Sequence, residues 1–180
     1  MLLVLPCHAA AAADSRDYLP RLRQLFYVAA NDESAVLRAM SFLQQTFPTS
    51  PDLWPPVAQA YYGALEGLRA KYSNGLFDKL YHLQKAISTL RELPEKNPES
   101  LEILFLRFSL FHQVPSFFGV RSTVSPDLER LIVILEAHLD EQVPVDIQRA
   151  MATYLRACGE ADRFQAARLE EVLRRTASLS

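Results

Sequence analysis

The stretch from Asn97 to Gly119, NPESLEILFLRFSLFHQVPSFFG, constrains the fold more than any other part of the chain. Asn97-Pro98 and Glu99-Ser100 read as a capped helix start with proline in the first turn, and Pro115 closes the segment. The spacing predicts a helix of about four turns. At 100° per residue, Leu101, Leu104, Phe105, Phe108 and Phe111 share one side, and Ile103 and Leu110 widen the apolar arc past a half circle. Only Glu99, Glu102, Ser109 and Gln113 make a polar stripe. A helix that is apolar over most of its circumference has to be wrapped by neighbours, so the chain reads as a packed all-α domain with this helix as its spine.

The flanking sequence supplies the neighbours. A chain of 180 residues fits one domain and buries roughly 70% of its unfolded surface, so no cofactor or disulfide is needed for stability. Its 49% apolar and 22% charged residues are ordinary globular values. Helical stripes recur on either side of the spine. The first carries Tyr18, Leu22, Phe26, Val28 and Ala29, and the second carries Val36, Leu37, Met40, Leu43 and Phe47. A third, from Asp52 to Tyr72, has a bulky side with Trp54, Tyr61, Leu65 and Leu68, and a small side with Ala60, Gly63, Gly67 and Ala70. A fourth holds Leu76, Leu80, Leu83, Ile87 and Leu90. After the spine, Leu128 to Leu139, Ile147 to Cys158 and Phe164 to Leu173 give three more, the last with the weakest stripe and read as docked or partly frayed. Its arginines, offset by Glu160, Glu170 and Glu171, read as a solvated face.

Residues 1–13, MLLVLPCHAAAAA, pair an apolar start with alanine triplets and precede the polar Asp14-Ser15-Arg16-Asp17. They resemble a secretory signal truncated of its basic start, which leaves 14–180 as the α-helical domain and points to an extracytoplasmic protein. No other segment approaches the ~20 apolar residues of a membrane span. With 19 basic and 21 acidic residues, the net charge of −2 carries no nucleic-acid footprint. Cys7 and Cys158 have no metal-ligand spacing around them. His8, His82, His112 and His138 are scattered over different segments, and HExxH, GxSxG, P-loop and GxGxxG motifs are absent. No catalytic, cofactor or metal residues are assigned.

Helices joined by short connections suggest antiparallel pairs of the solenoid type, a right-handed array of about seven or eight helices. Gly67 to Pro98, with Ala70, Leu83, Ala86 and Pro94, looks like a stretched, degenerate tetratricopeptide repeat. Over about residues 20 to 158, the segments ALEGLRAKYS (64 to 73), FDKLYHLQKAISTL (77 to 90), NPESLEILFLRFS (97 to 109) and VPSFFG (114 to 119) are similar to a family of small exported bacterial proteins with tetratricopeptide-like domains. The resemblance implies an exported helical domain and supplies no activity.

Two features stand apart from the packing pattern. Arg107 projects from inside the apolar arc of the spine, and an unpaired buried guanidinium costs several kcal/mol, so it requires a partner. That partner is a carboxylate, the carbonyls of a helix carboxyl terminus or a bound anion; a structural pair with Glu66 or Asp78 is expected, and on the anion reading Lys71 and Tyr72 join Arg107. The second feature is aromatic: Tyr61-Tyr62 on the third helix and Phe117-Phe118 in the loop after the spine. These are core aromatics and a plug on one reading, and the lining of a partner or small-ligand groove on the other. The sequence as a whole reads as a non-enzymatic module that contacts an unidentified protein or peptide, with a small-ligand or anion-binding protein as the alternative.

Overall fold

The computed structural model describes residues 18–138 and 140–178. The signal-like segment 1–13, with Cys7 and His8, and the assignment of Leu139 to a helix lie outside the described residues. Within them the chain is α-helical without a β-strand, as the sequence predicts. The α-helices are α1 (Leu19–Ala29), α2 (Glu33–Thr46), α3 (Pro56–Tyr72), α4 (Leu76–Leu90), the single turn α5 (Leu93–Lys96), α6 (Leu101–Phe111), α7 (Val124–Ala137), α8 (Val145–Ala157) and α9 (Arg163–Ala177).

α6 is the spine. The Ser100 hydroxyl accepts from the Ile103 amide, and the Asp140 carboxylate accepts from the Leu101 amide at 2.9 Å, so the first turn is capped from two directions. Leu101, Ile103, Leu104, Leu106, Phe108 and Phe111 are all buried, which places core on opposite sides of one helix. The sequence reading fails at one point of the polar stripe. Glu102 is 2% exposed, because α1 brings an arginine to it.

The helices pack in consecutive pairs, α1 on α2, α3 on α4, α6 on α7 and α8 on α9, and α6 also packs on α3. Three of the connections are short, three residues in α1–α2 and α3–α4 and five in α8–α9, so those paired helices run antiparallel, whereas twelve residues with two 3-10 turns join α6 to α7. The small side of α3 permits its close contacts. A Cβ at Gly63 would lie 2.9 Å from Leu90 Cγ of α4, and one at Gly67 would lie 2.7 Å from Leu110 Cδ1 of α6. The first members of the pairs, α1, α3, α6 and α8, share a polarity. Arg23, Tyr61 and Glu102 meet near the amino-terminal ends of α1, α3 and α6. Lys71 reaches the carbonyl of Ala30 beyond α1, and Tyr154 near the end of α8 meets His112 and Gln113 beyond α6.

Two expectations need correction. Leu76 and Leu80 continue the Leu83, Ile87 and Leu90 seam of α4, but the first two turns of that helix overhang the body and residues 74 to 81 are all exposed. Phe77 there is 86% exposed. Leu37 and Val28, read as members of core stripes, are exposed as well. The last helix, in contrast, is docked. Asp162 and Gln165 form a reciprocal capping box at the start of α9, and Leu169 and Val172 are buried. Its arginines are only in part a solvated face: Arg168 is bidentate to Glu136 at 2.8 and 2.6 Å, and Arg175 donates to the Glu136 and Leu135 carbonyls at 2.7 Å.

Candidate functional site

The four helices of common polarity leave a half-open groove of about 410 Å³ between them. Phe26 and Tyr27 of α1 form one wall, and Ile147, Ala150 and Met151 of α8 the opposite one. Ala64, Gly67 and Leu68 of α3 and Phe105, Leu106 and Leu110 of α6 make the floor. On α3, α6 and α8 these positions recur at three- and four-residue steps, Ala64–Gly67–Leu68, Leu106–Leu110 and Ile147–Ala150–Met151, so each of these helices turns apolar residues along one line toward the groove.

The groove is fixed at both ends by polar clusters. At the amino-terminal end, Arg23 is bidentate to Glu102 at 2.8 and 2.7 Å, and the Tyr61 hydroxyl donates to the same carboxylate. Arg23 also reaches the Gln142 carbonyl at 3.4 Å, so one carboxylate ties α1, α3 and α6 to the loop before α8. The hydrogen bond to Glu102 raises the Arg23 pKa, and burial raises that of Tyr61 well above the usual phenol value, so neither changes charge near neutrality. At the other end, His112 Nε2 and the Tyr154 hydroxyl are 2.6 Å apart, and Gln113 donates to the same hydroxyl at 3.3 Å. Burial lowers the His112 pKa, which favours the neutral ring against Tyr154 and stacked on Phe108.

The predicted site residues separate. Tyr61 and Lys71 line the groove. Tyr62, one residue on and therefore about 100° around the helix, faces Trp54 and lies beneath Lys85 Nζ. Tyr72 donates to the Ala30 carbonyl at 3.0 Å and borders a smaller hollow of about 340 Å³ with Arg69 and His82. Phe117 and Phe118 pack on each other, with ring centroids 4.5 Å apart, on the turn after α6; Phe117 is 80% exposed and neither lines the groove. A groove built from Tyr61, Tyr62, Phe117 and Phe118 is therefore not what forms.

Arg107 is paired inside the chain, but not with Glu66 or Asp78. It is bidentate to Asp127 of α7 at 2.9 and 2.6 Å, and its third nitrogen donates to Glu95 and to the Arg91 carbonyl, both at 2.7 Å. With 2% of its surface exposed it has no face to offer an anion. Glu66 instead serves α4. Fully buried, it holds His82 Nδ1 at 2.7 Å and Lys85 Nζ at 2.9 Å, with Arg69 at 3.5 Å. Burial opposes its charge, but the bonds from Lys85 and His82 outweigh that, and its carboxyl sits below the usual range. This cluster fastens the α3–α4 pair.

Sequence reading missed Arg23, Glu102, Ile147, Met151 and Tyr154. Periodicity puts the last three on one face of α8, and it cannot separate a side chain that faces the core from one that faces a groove between helices. Among the described residues, no three His, Cys, Asp or Glu side chains converge as metal ligands, and no helix is long and apolar enough to cross a membrane. No family model, curated protein or solved structure matches the chain.

Proposed function

We propose that the protein is a non-enzymatic interaction module that seats an apolar segment of a protein or peptide partner in the groove of α1, α3, α6 and α8. The observation that carries this reading is the groove itself: a half-open, largely apolar space between four helices, along which Phe26, Leu68, Phe105, Leu110 and Ile147 are only partly buried. Helix-lined apolar grooves of this kind accept a partner's apolar face, with main-chain polarity satisfied inside the partner's own helix. A tetratricopeptide-like architecture belongs to the same proposal, supported by consecutive helix pairs whose first members line one surface. An extracytoplasmic setting belongs to it too, supported by the signal-like residues 1–13.

Peptide selection tests the reading. Random peptides displayed on phage are selected on the immobilised full chain, and the recovered peptides are titrated against wild type and Ala150→Arg. Ala150 is exposed on the groove wall, so an arginine there fills the space without disturbing the core. The expected peptides carry apolar residues at three- and four-residue spacing and lose at least about tenfold in affinity, or 1.4 kcal/mol, on the variant. An absence of enrichment, or binding indifferent to Ala150→Arg, rejects the groove as the site.

A further inference from the structure

Among the described residues, the groove carries opposite charges that cancel at one end and a single uncancelled charge at the other. Arg23 and Glu102 neutralise each other. Lys71 is exposed in the last turn of α3, donates to the Ala30 carbonyl at 2.8 Å and lies 5.1 Å from the ring of Tyr72. Among the described residues no carboxylate forms an ion pair with it. An occupant of the groove thus meets one cation, and meets it at a defined end.

That end also has a polarity. The carbonyl ends of α1, α3 and α6 meet there, and helix carboxyl termini carry partial negative charge. A helix entering the groove is favoured with its amino terminus, which carries partial positive charge, at the same end. Acidic residues are favoured in the first turn of a helix, and in this orientation that turn lies beside Lys71. From Glu102 to Gln113 the floor extends over α6 by roughly 16 Å, or about three helical turns.

We propose that the occupant is an amphipathic helix of about three turns running opposite to α6, with apolar residues at i, i+3, i+4 and i+7 and an acidic residue in its first turn against Lys71. This rests on the reading of the groove as a partner site, and it specifies both the chemistry and the direction of what binds.

The test uses two synthetic helical peptides of about 14 residues with the same composition, capped ends and leucines at the i, i+3, i+4 and i+7 positions. One carries its two glutamates in the first turn, the other in the last. Titration calorimetry with the full chain is expected to give about fivefold tighter binding of the first-turn peptide, the effect of one partly exposed ion pair. Lys71→Glu reverses the preference, and 0.5 M salt removes it. Circular dichroism of Lys71→Glu matching wild type shows that the change is confined to this surface position. If both peptides bind equally and Lys71→Glu alters neither, the directed-helix proposal is overturned while the groove reading stands. If neither peptide binds, both fall; if laurate binds and neither peptide does, the site belongs to a lipid chain and the proposal is overturned in that direction.

Discussion

Arg107→Ala is expected to lower the unfolding free energy by about 3–5 kcal/mol, the cost of leaving one member of a buried ion pair alone. The guanidinium is the hydrogen-bonding partner of Asp127, which is 1% exposed. For a chain of this length the loss corresponds to a melting temperature lower by about 10 °C. The defect depends on pH with a definite sign. Burial already raises the Asp127 carboxyl above its ordinary value of 3.8, and removing the cation raises it further. An acid with a raised folded pKa is penalised for ionising: the penalty is absent below the unfolded value and grows as pH rises toward the folded one. Urea unfolding followed by circular dichroism should therefore give a larger wild-type-to-variant difference at pH 7 than at pH 4.5. The double variant Arg107→Leu/Asp127→Leu should lose much less, because paired apolar side chains replace a buried ion pair at little net cost. A difference that stays constant with pH would mean that a second cation, such as Arg130, whose charge already favours the Asp127 carboxylate, takes it over.

Phe108→Ala is expected to cost about 3–5 kcal/mol by a different route, the loss of transfer free energy together with an unfilled cavity. The ring is fully buried and stacks on His112 at 5.3 Å with the planes 12° apart. Phe108→Leu, which keeps most of the volume, should cost less than about 1.5 kcal/mol. Because Phe108 does not line the groove, peptide affinity measured on the folded fraction of Phe108→Leu should match wild type. Equal midpoints for wild type and Phe108→Ala in urea would contradict the role of α6 as a spine.

The arrangement of α6 was legible because an apolar arc wider than half a turn admits few solutions. Neighbours must cover it, and helices of suitable length flank it in the chain. Arg107 was legible as an anomaly for the same reason, since a charge within that arc needs an internal partner. Which partner was not legible: Asp127 reaches it only through the register of α7 against α6, and that register depends on the packing of Leu128, Leu131 and Leu135, not on any local pattern. Glu102 was misread because the residue that neutralises it, Arg23, is 79 positions away. The candidate aromatic groove failed on geometry already implicit in the chain, as adjacent tyrosines on a helix point to different neighbours. The capping box of Asp162 and Gln165, which anchors α9, was present in the sequence as a local signal and outweighs the thin apolar stripe of that helix.

The overhang of α4 has a consequence for how the molecule comes apart. The base of the α3–α4 hairpin is fastened by Glu66 and by Leu83, Ile87 and Leu90, whereas its tip, from Asn74 to Tyr81, is exposed throughout. Segments with few buried contacts open at a small fraction of the global free energy. A protease should find its first cut at this tip, beside Asn74-Gly75, leaving behind two fragments still clasped together with the groove of α1, α3, α6 and α8 intact.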